Sequence, residues 1–253
     1  MRIYSNAYEL MSETGRNLWE MGLEVRPKHY QNKNIEGNPD FITKELTCEQ
    51  ICLTKLPDPE YLFIFNGKDD TCRWAEAELQ ERISGHKLNP GEAWKLRQEV
   101  WEEFMHGGKF DYTYPERINR VFVYQGLGDT YLENIIALLK DDPDTRKAIL
   151  SIFDPSQDGD HLEGDQRIPC SMYYDFMIRE NASGKKQLNI CYHQRSSDFA
   201  LHFGCDVYLA FRLMEYVAKR LEIQPGYLYH TIDSLHCYQR DWVKLKTSLS
   251  ELR

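Results

Sequence analysis

Residues 194–226 read QRSSDFALHFGCDVYLAFRLMEYVAKRLEIQPG. A polar cluster, Gln194 to Asp198, gives way to a run from Val207 to Ile223 that is apolar nearly all round. A helix of that kind must be buried among other elements. It stops at Gln224-Pro225-Gly226, a strong turn signal. Around it lie segments rich in β-branched and aromatic residues: RKAILSIFD (146–154), CSMYYDFMIRE (170–180), QLNICYHQRS (187–196) and GYLYHTIDSLHCY (226–238). These read as strands. One buried central helix surrounded by strands predicts a mixed α/β fold (α+β in order), a single domain over residues 1–253 built on one large twisted sheet.

Toward the N-terminus the texture is helical. Residues 3–22 carry Tyr4, Ala7, Leu10, Met11, Leu18 and Met21 near helical spacing. CRWAEAELQERIS (72–84) is made of strong helix formers. NPGEAWKLRQEVWEEFM (89–105) predicts another helix, with Asn-Pro as cap and first-turn pair. LENIIALLKDD (132–142) is amphipathic and ends before Pro143. RPKHYQNKN (26–34) is polar and basic and reads as a loop. YLFIF (61–65) predicts a buried strand or the start of a core segment.

Hydrophobic residues make up 42% of the 253 and charged residues 28%, the balance of a globular chain. The net charge of −9 argues against a broad nucleic-acid surface, though not against a local phosphate pocket. No apolar run approaches the ~18 residues that would span a bilayer. MRIYSNAYELMSE shows no apolar core before an acidic residue, so no secretory signal is expected. Seven scattered cysteines suit a reducing, cytoplasmic setting better than a disulfide framework. Cys48 and Cys52 have CxxxC spacing without a second ligand pair, so no metal site is expected. GLGD (126–129) lacks the third glycine of a dinucleotide loop and reads as a turn.

Four segments carry the chemistry: DPDTRK (142–147), PCSMYYDF (169–176), QRSSDFALHFGCDVYL (194–209) and HTIDSLHCY (230–238). Each alone has a plain structural reading. A cysteine after proline is usually a small core residue, Asp206 could cap the helix that follows it, and Arg146-Lys147 could be a solvated turn. In this order and spacing they resemble the thymidylate synthase and deoxycytidylate hydroxymethylase superfamily. The resemblance covers about residues 125–240. More weakly, Glu78 in AEAELQERISG and Tyr114 in FDYTYPERI resemble the family's catalytic glutamate and active-site tyrosine.

The resemblance implies the following roles. Cys170 is the nucleophile that adds to C6 of a pyrimidine and activates C5. A nearby guanidinium favours a thiolate, and Arg195 is the candidate. Arg195, Ser196 and Gln194 come from the substrate-binding QRSSD segment, with Arg195 and Ser196 toward the phosphate. Glu78 organises water and relays protons. Asp198 stands near the folate pterin. His236 and Tyr238 bind the sugar 3′-hydroxyl. Arg146 and Lys147 reach across a homodimer, packed through the sheet face, to the partner's phosphate. Arg26, with Lys28 as the alternative, is a further phosphate candidate. The co-substrate implied is 5,10-methylenetetrahydrofolate, and the partners are a pyrimidine nucleoside monophosphate, folate and a second copy of the chain. Neither nucleic acid nor membrane is implied.

Departures from the family pattern also stand out. Ser171 follows the nucleophile where histidine is usual, Asp175 replaces a glutamine, Lys147 replaces an arginine, and His202 and Gly204 alter the usual turn. Thymidylate synthases carry asparagine where Asp206 stands. Cytosine offers an N4–H₂ donor and an N3 acceptor, which a carboxyl group matches better than uracil's edge. The SLHCYQR strand (234–240) also resembles the hydroxymethylases more closely. A cytidylate is therefore expected, with ribose or deoxyribose open. Only 13 residues follow Arg240, and a short lid excluding water less well would tilt the product to hydroxymethyl. The alternatives are a C5 methyltransferase on dCMP or dUMP, and a non-catalytic nucleotide- or RNA-binding paralogue.

Overall fold

The computed structural model describes residues 1–31, 33–121, 130–159 and 167–252. The GLGD segment read as a turn lies outside them. In chain order the elements are β1 (Arg2–Tyr4), α1 (Ala7–Met21), β2 (Leu23–Val25), β3 (His29–Tyr30), β4 (Lys33–Asn34), β5 (Thr43–Leu53), α2 (Pro59–Leu62), α3 (Lys68–Arg82) and α4 (Gln98–Trp101). They continue with α5 (Tyr114–Ile118), α6 (Tyr131–Asp141), β6 (Ile149–Ser151), α7 (Pro155–Asp158), β7 (Ser171–Glu180), β8 (Lys186–Asp198), α8 (Phe203–Arg220), β9 (Gln224–Tyr238) and α9 (Trp242–Glu251).

The sheet runs β1-β5-β9-β8-β7-β6, with β2 also on β5. β9 lies parallel to β8 and antiparallel to β5, and β7 and β6 continue antiparallel. Parallel neighbours need a crossover, and α8 supplies it. The helix buries Phe203, Val207, Phe211 and Met214 among others, and shares one hydrophobic cluster with Ile190, Ile232 and Leu235 of the strands. The mixed sheet with a buried central helix is therefore observed.

Local departures have local causes. The first helix begins at Ala7 because the Asn6 side chain accepts from Glu9 N, while Arg2–Tyr4 pair with Ile51–Leu53 as a strand. YLFIF is no strand: Asp58 caps a short helix with Pro59 in its first turn, and the chain then turns through Phe63. The helix expected over 89–105 is broken into 3-10 turns (Ala93–Arg97, Glu102–Phe104) around the single α-turn of α4. Asn89 does not cap it: its side chain bonds the backbone of Phe110 and the Glu116 carboxylate instead. The Glu81 carboxylate takes the N–H groups of Glu92 and Ala93. Gln224 and Pro225 are not a turn but the opening of β9, opposite Gln187 and Leu188. α8 starts at Phe203, so Asp206 sits in its first turn and not at its cap.

Candidate active site

A cavity of about 430 Å³ opens where β7, β8, β9, α3, the first turn of α8 and the irregular stretch after residue 89 converge. Two walls face each other across it.

The first wall is strand-built. Antiparallel pairing of β7 with β8 sets Ser171 against Gln194, so Arg195 N donates to Cys170 O at 2.9 Å. The Arg195 guanidinium then folds back on the segment carrying the cysteine. Its Nε donates to Pro169 O (2.9 Å) and its Nη2 to Ile168 O (3.1 Å), leaving Nη2 3.9 Å from Cys170 Sγ. Ser196 Oγ lies 3.6 Å from the same sulfur. Parallel pairing of β8 with β9 aligns Asp198 with His236. The His236 ring meets Tyr238 edge-on at 5.0 Å, and burial pushes its pKa down to about 4.

Asp198 is buried and accepts from Ala200 N and Leu201 N at 3.0 and 3.3 Å. Burial, reinforced by Asp241, raises its carboxyl to about 7 against those two bonds. Asp206 borders the cavity and accepts from Ser197 Oγ at 2.8 Å. Burial raises it to about 6, with the Gln194 amide, Ser197 and Arg82 pulling the other way. Two carboxyl groups whose pKa values burial raises thus share one pocket with a cysteine.

The second wall comes from the N-terminal half. On α3, Glu78 and Arg82 sit one turn apart and pair at 2.8 Å with both side chains largely buried. The Arg82 guanidinium carbon lies 4.0 Å from the Tyr114 ring centroid. The Tyr114 hydroxyl accepts from Ser171 Oγ (3.1 Å), and burial raises its pKa well above the ordinary value. Trp74, Trp94, Trp101, Phe104, Phe110 and Tyr112 complete this side. No group of three or more His, Cys, Asp or Glu among the described residues could hold a metal. No helix among them is long and apolar enough to cross a membrane.

A cysteine held against a strand-borne arginine, with a glutamate–arginine pair opposite, can be compared with known proteins. The profile of the thymidylate synthase family matches residues 69–252. The chain belongs to that family. It is 32% identical over 133 residues to a putative thymidylate synthase of Methanosarcina mazei, covering 53% of this chain and 55% of that one. It is 32% identical over 124 residues to a deoxyuridylate hydroxymethyltransferase of Bacillus phage SP01, covering 48% of this chain and 30% of that one. The chain thus spans about half the length, or less, of the curated relatives it matches. Thermostable thymidylate synthase A from Bacillus subtilis superposes with a TM-score of 0.73 at 16% identity, over 97% of this chain and 84% of that one. That match shows the fold.

In this thymidylate synthase family chain, Cys170, Glu78, Arg195, Tyr114, Asp198, Asp206, Ser196, His236 and Tyr238 all border the one cavity. Gln194 does not: it is fully buried behind the wall, with its Oε1 2.8 Å from His230 Nε2. Arg26 also lies off the cavity, exposed and paired with Glu24 at 2.5 Å, and Lys28 pairs with Glu36. Arg146 and Lys147 are exposed and away from this chain's cavity. Residues not read from the sequence include Arg82, Ser197, Tyr112, Trp101 and Arg167. Arg82 was findable as the i+4 partner of Glu78. Ser197 and Tyr112 lie inside the QRSSD and FDYTYPERI segments without being singled out, and Trp101 and Arg167 carry no spacing signal.

Proposed function

We propose that the chain transfers a one-carbon unit from 5,10-methylenetetrahydrofolate to C5 of a cytidylate, CMP or dCMP, leaving a 5-hydroxymethyl group. The observation that carries this reading is Asp206. It faces the cavity, is fixed by Ser197, and its carboxyl is raised to about 6. Ionised, it accepts from cytosine N4–H₂. Protonated, it can also donate to N3. Against uracil, an ionised carboxylate would set an acceptor against O4, a buried mismatch of roughly 1–3 kcal/mol.

The other residues take roles that their geometry allows. The Cys170 sulfur adds to C6, which places electron density on C5. Arg195 and Ser196, beside that sulfur, hold the nucleotide's phosphate. Glu78, oriented by Arg82, relays the proton removed from C5. His236 and Tyr238 take the sugar. The folate supplies a methylene carbon, completed by water as hydroxymethyl or by hydride as methyl. The aromatic wall at Trp101, Phe104 and Tyr112 suits a flat ring, and Asp198 is a carboxyl within the same pocket. A homodimer through the outer sheet face is part of this reading. That face exposes Ile149, Tyr173 and Tyr227, and Arg146 and Lys147 would reach from it to the partner's phosphate.

A second reading is supported by the relatives' names, which point to thymidylate and deoxyuridylate chemistry: methyl or hydroxymethyl transfer to dUMP. One experiment separates these. The protein is incubated with 5,10-methylenetetrahydrofolate and 5-tritiated CMP, dCMP or dUMP, and both label release and product mass are followed. Release from a cytidylate with a gain of about 30 Da (CH₂O) is expected, the carbon being the folate's. Release from dUMP alone, or a gain of about 14 Da (CH₂), overturns the cytidylate or hydroxymethyl assignment respectively. No release from any of the three leaves a nucleotide-binding protein.

A further inference from the structure

Arg167 stands three residues before Cys170 and has no role in the chemistry above. It is only 5% exposed, yet it borders the cavity. Asp111 accepts from its backbone N–H at 2.9 Å, which anchors the residue. Its guanidinium carbon lies 4.3 Å from the Phe104 ring centroid, 5.5 Å from Tyr112 and 5.6 Å from Trp101.

Ring faces stabilise a cation, but they give the five N–H donors of a guanidinium no in-plane acceptor. Among the described residues no carboxylate pairs with Arg167, and its side chain donates no hydrogen bond. Buried Arg97 also lacks a carboxylate, but it lies off the cavity, over the Trp74 ring and donating to Cys205 Sγ. Four other buried or half-buried arginines have acceptors. Arg82 has Glu78, Arg117 has Asp158, Arg220 has Glu133, and Arg195 has two carbonyls. A buried cation without an anion is costly unless something arrives to satisfy it. Further cations lie near the same end of the cavity. His202, 5.7 Å from Trp101, is held neutral with its pKa down at about 3 by burial and by Arg97, Arg167, His236 and Arg240.

We propose that Arg167 binds an oxyanion of the second substrate, a carboxylate of the one-carbon donor, at the aromatic end of the cavity. This site is separate from the one that Arg195 and Ser196 offer the nucleotide's phosphate. The donor's identity as a folate rests on the function proposed above. The existence of a second oxyanion site rests on Arg167 alone. A planar guanidinium takes both carboxylate oxygens at once, so lysine should replace it only in part.

The test is binding, not turnover. Wild type, Arg167→Met and Arg167→Lys are titrated first with dCMP or CMP. With nucleotide saturating, they are then titrated with tetrahydrofolate and with 4-aminobenzoyl-glutamate, by tryptophan fluorescence. Expected is a loss of about 10- to 100-fold for both carboxylate probes in Arg167→Met, the range of a charge-assisted bidentate pair. An intermediate loss is expected in Arg167→Lys, with nucleotide affinity within about 2-fold throughout. Nucleotide affinity also reports folding, and Arg167→Gln stands in should Arg167→Met not fold. An equal loss of nucleotide affinity makes the oxyanion the phosphate and overturns the proposal. So do unchanged carboxylate affinities, or a wild type that takes nucleotide and neither carboxylate probe. Failure of the functional reading shows separately, as absent tritium release in a protein that still binds both probes.

Discussion

The two walls of the cavity are built in opposite ways. On one, Cys170, Arg195, Ser196, Asp198 and His236 sit at the ends of β7, β8 and β9, and ladder register places them. On the other, Trp94, Trp101, Phe104, Tyr112 and Arg167 sit on 3-10 turns, the single α-turn of α4 and loops, held by side chains such as Asn89, Glu81 and Asp111. Register is a collective property: a one-residue slip would turn every side chain of a strand to the other face. The loop wall has no such protection. It can change residue by residue, so the strand wall suits the nucleotide and the nucleophile, and the loop wall suits recognition of a second substrate.

The contrast breaks most sharply at the nucleophile. Cys170→Ser should lower the rate of label release by about four orders of magnitude or more while nucleotide affinity stays within a few-fold, measured by turnover and titration. Turnover near wild type would remove chemistry from the strand wall altogether. Glu78→Gln comes next. It keeps a partner for Arg82 but loses the proton relay, and kcat should fall about 10²- to 10⁴-fold with a smaller effect on nucleotide KM. A pure KM effect would make Glu78 a binding residue instead.

Asp206→Asn should shift the ratio of kcat/KM for cytidylate over uridylate by about 10- to 100-fold toward uridylate. An unchanged ratio would mean that Asp206 only supports Ser197. The smallest effect concerns stability. The Asp198 carboxyl is raised to about 7 by burial, so the folded state holds a proton that the unfolded chain releases near pH 4. Native binding of more protons makes stability fall as pH rises through that window. Asp198→Asn keeps an acceptor for Ala200 and Leu201 and cannot ionise. It should gain on the order of 2–4 kcal/mol relative to wild type between pH 4 and pH 8 in denaturant titrations. The neutral buried histidines His202, His230 and His236 oppose this trend, because their lowered pKa values lose stability as pH falls below about 6.5. The comparison between variants removes their contribution.

The sequence by itself determined the β6–β9 part of the sheet, the buried helix and the strand-borne half of the site. Alternating and aromatic runs declare strands locally, and Cys170, the QRSSD segment and SLHCY fall at their ends, where pairing brings them together. It also contained the Glu78–Arg82 pair, because helical spacing places i and i+4 side by side. Tertiary structure alone decided the rest. The 89–105 stretch has helical propensity, yet Asn89 and Glu81 form better bonds with distant partners, and the helix breaks into turns that aim Trp94, Trp101 and Phe104 inward. The β5 strand, TKELTCEQICL, looks polar because only part of it is buried, and pairing with β9 makes it a strand. Arg167 became legible last. Among the described residues its charge has no matching anion, and no local pattern of residues records that.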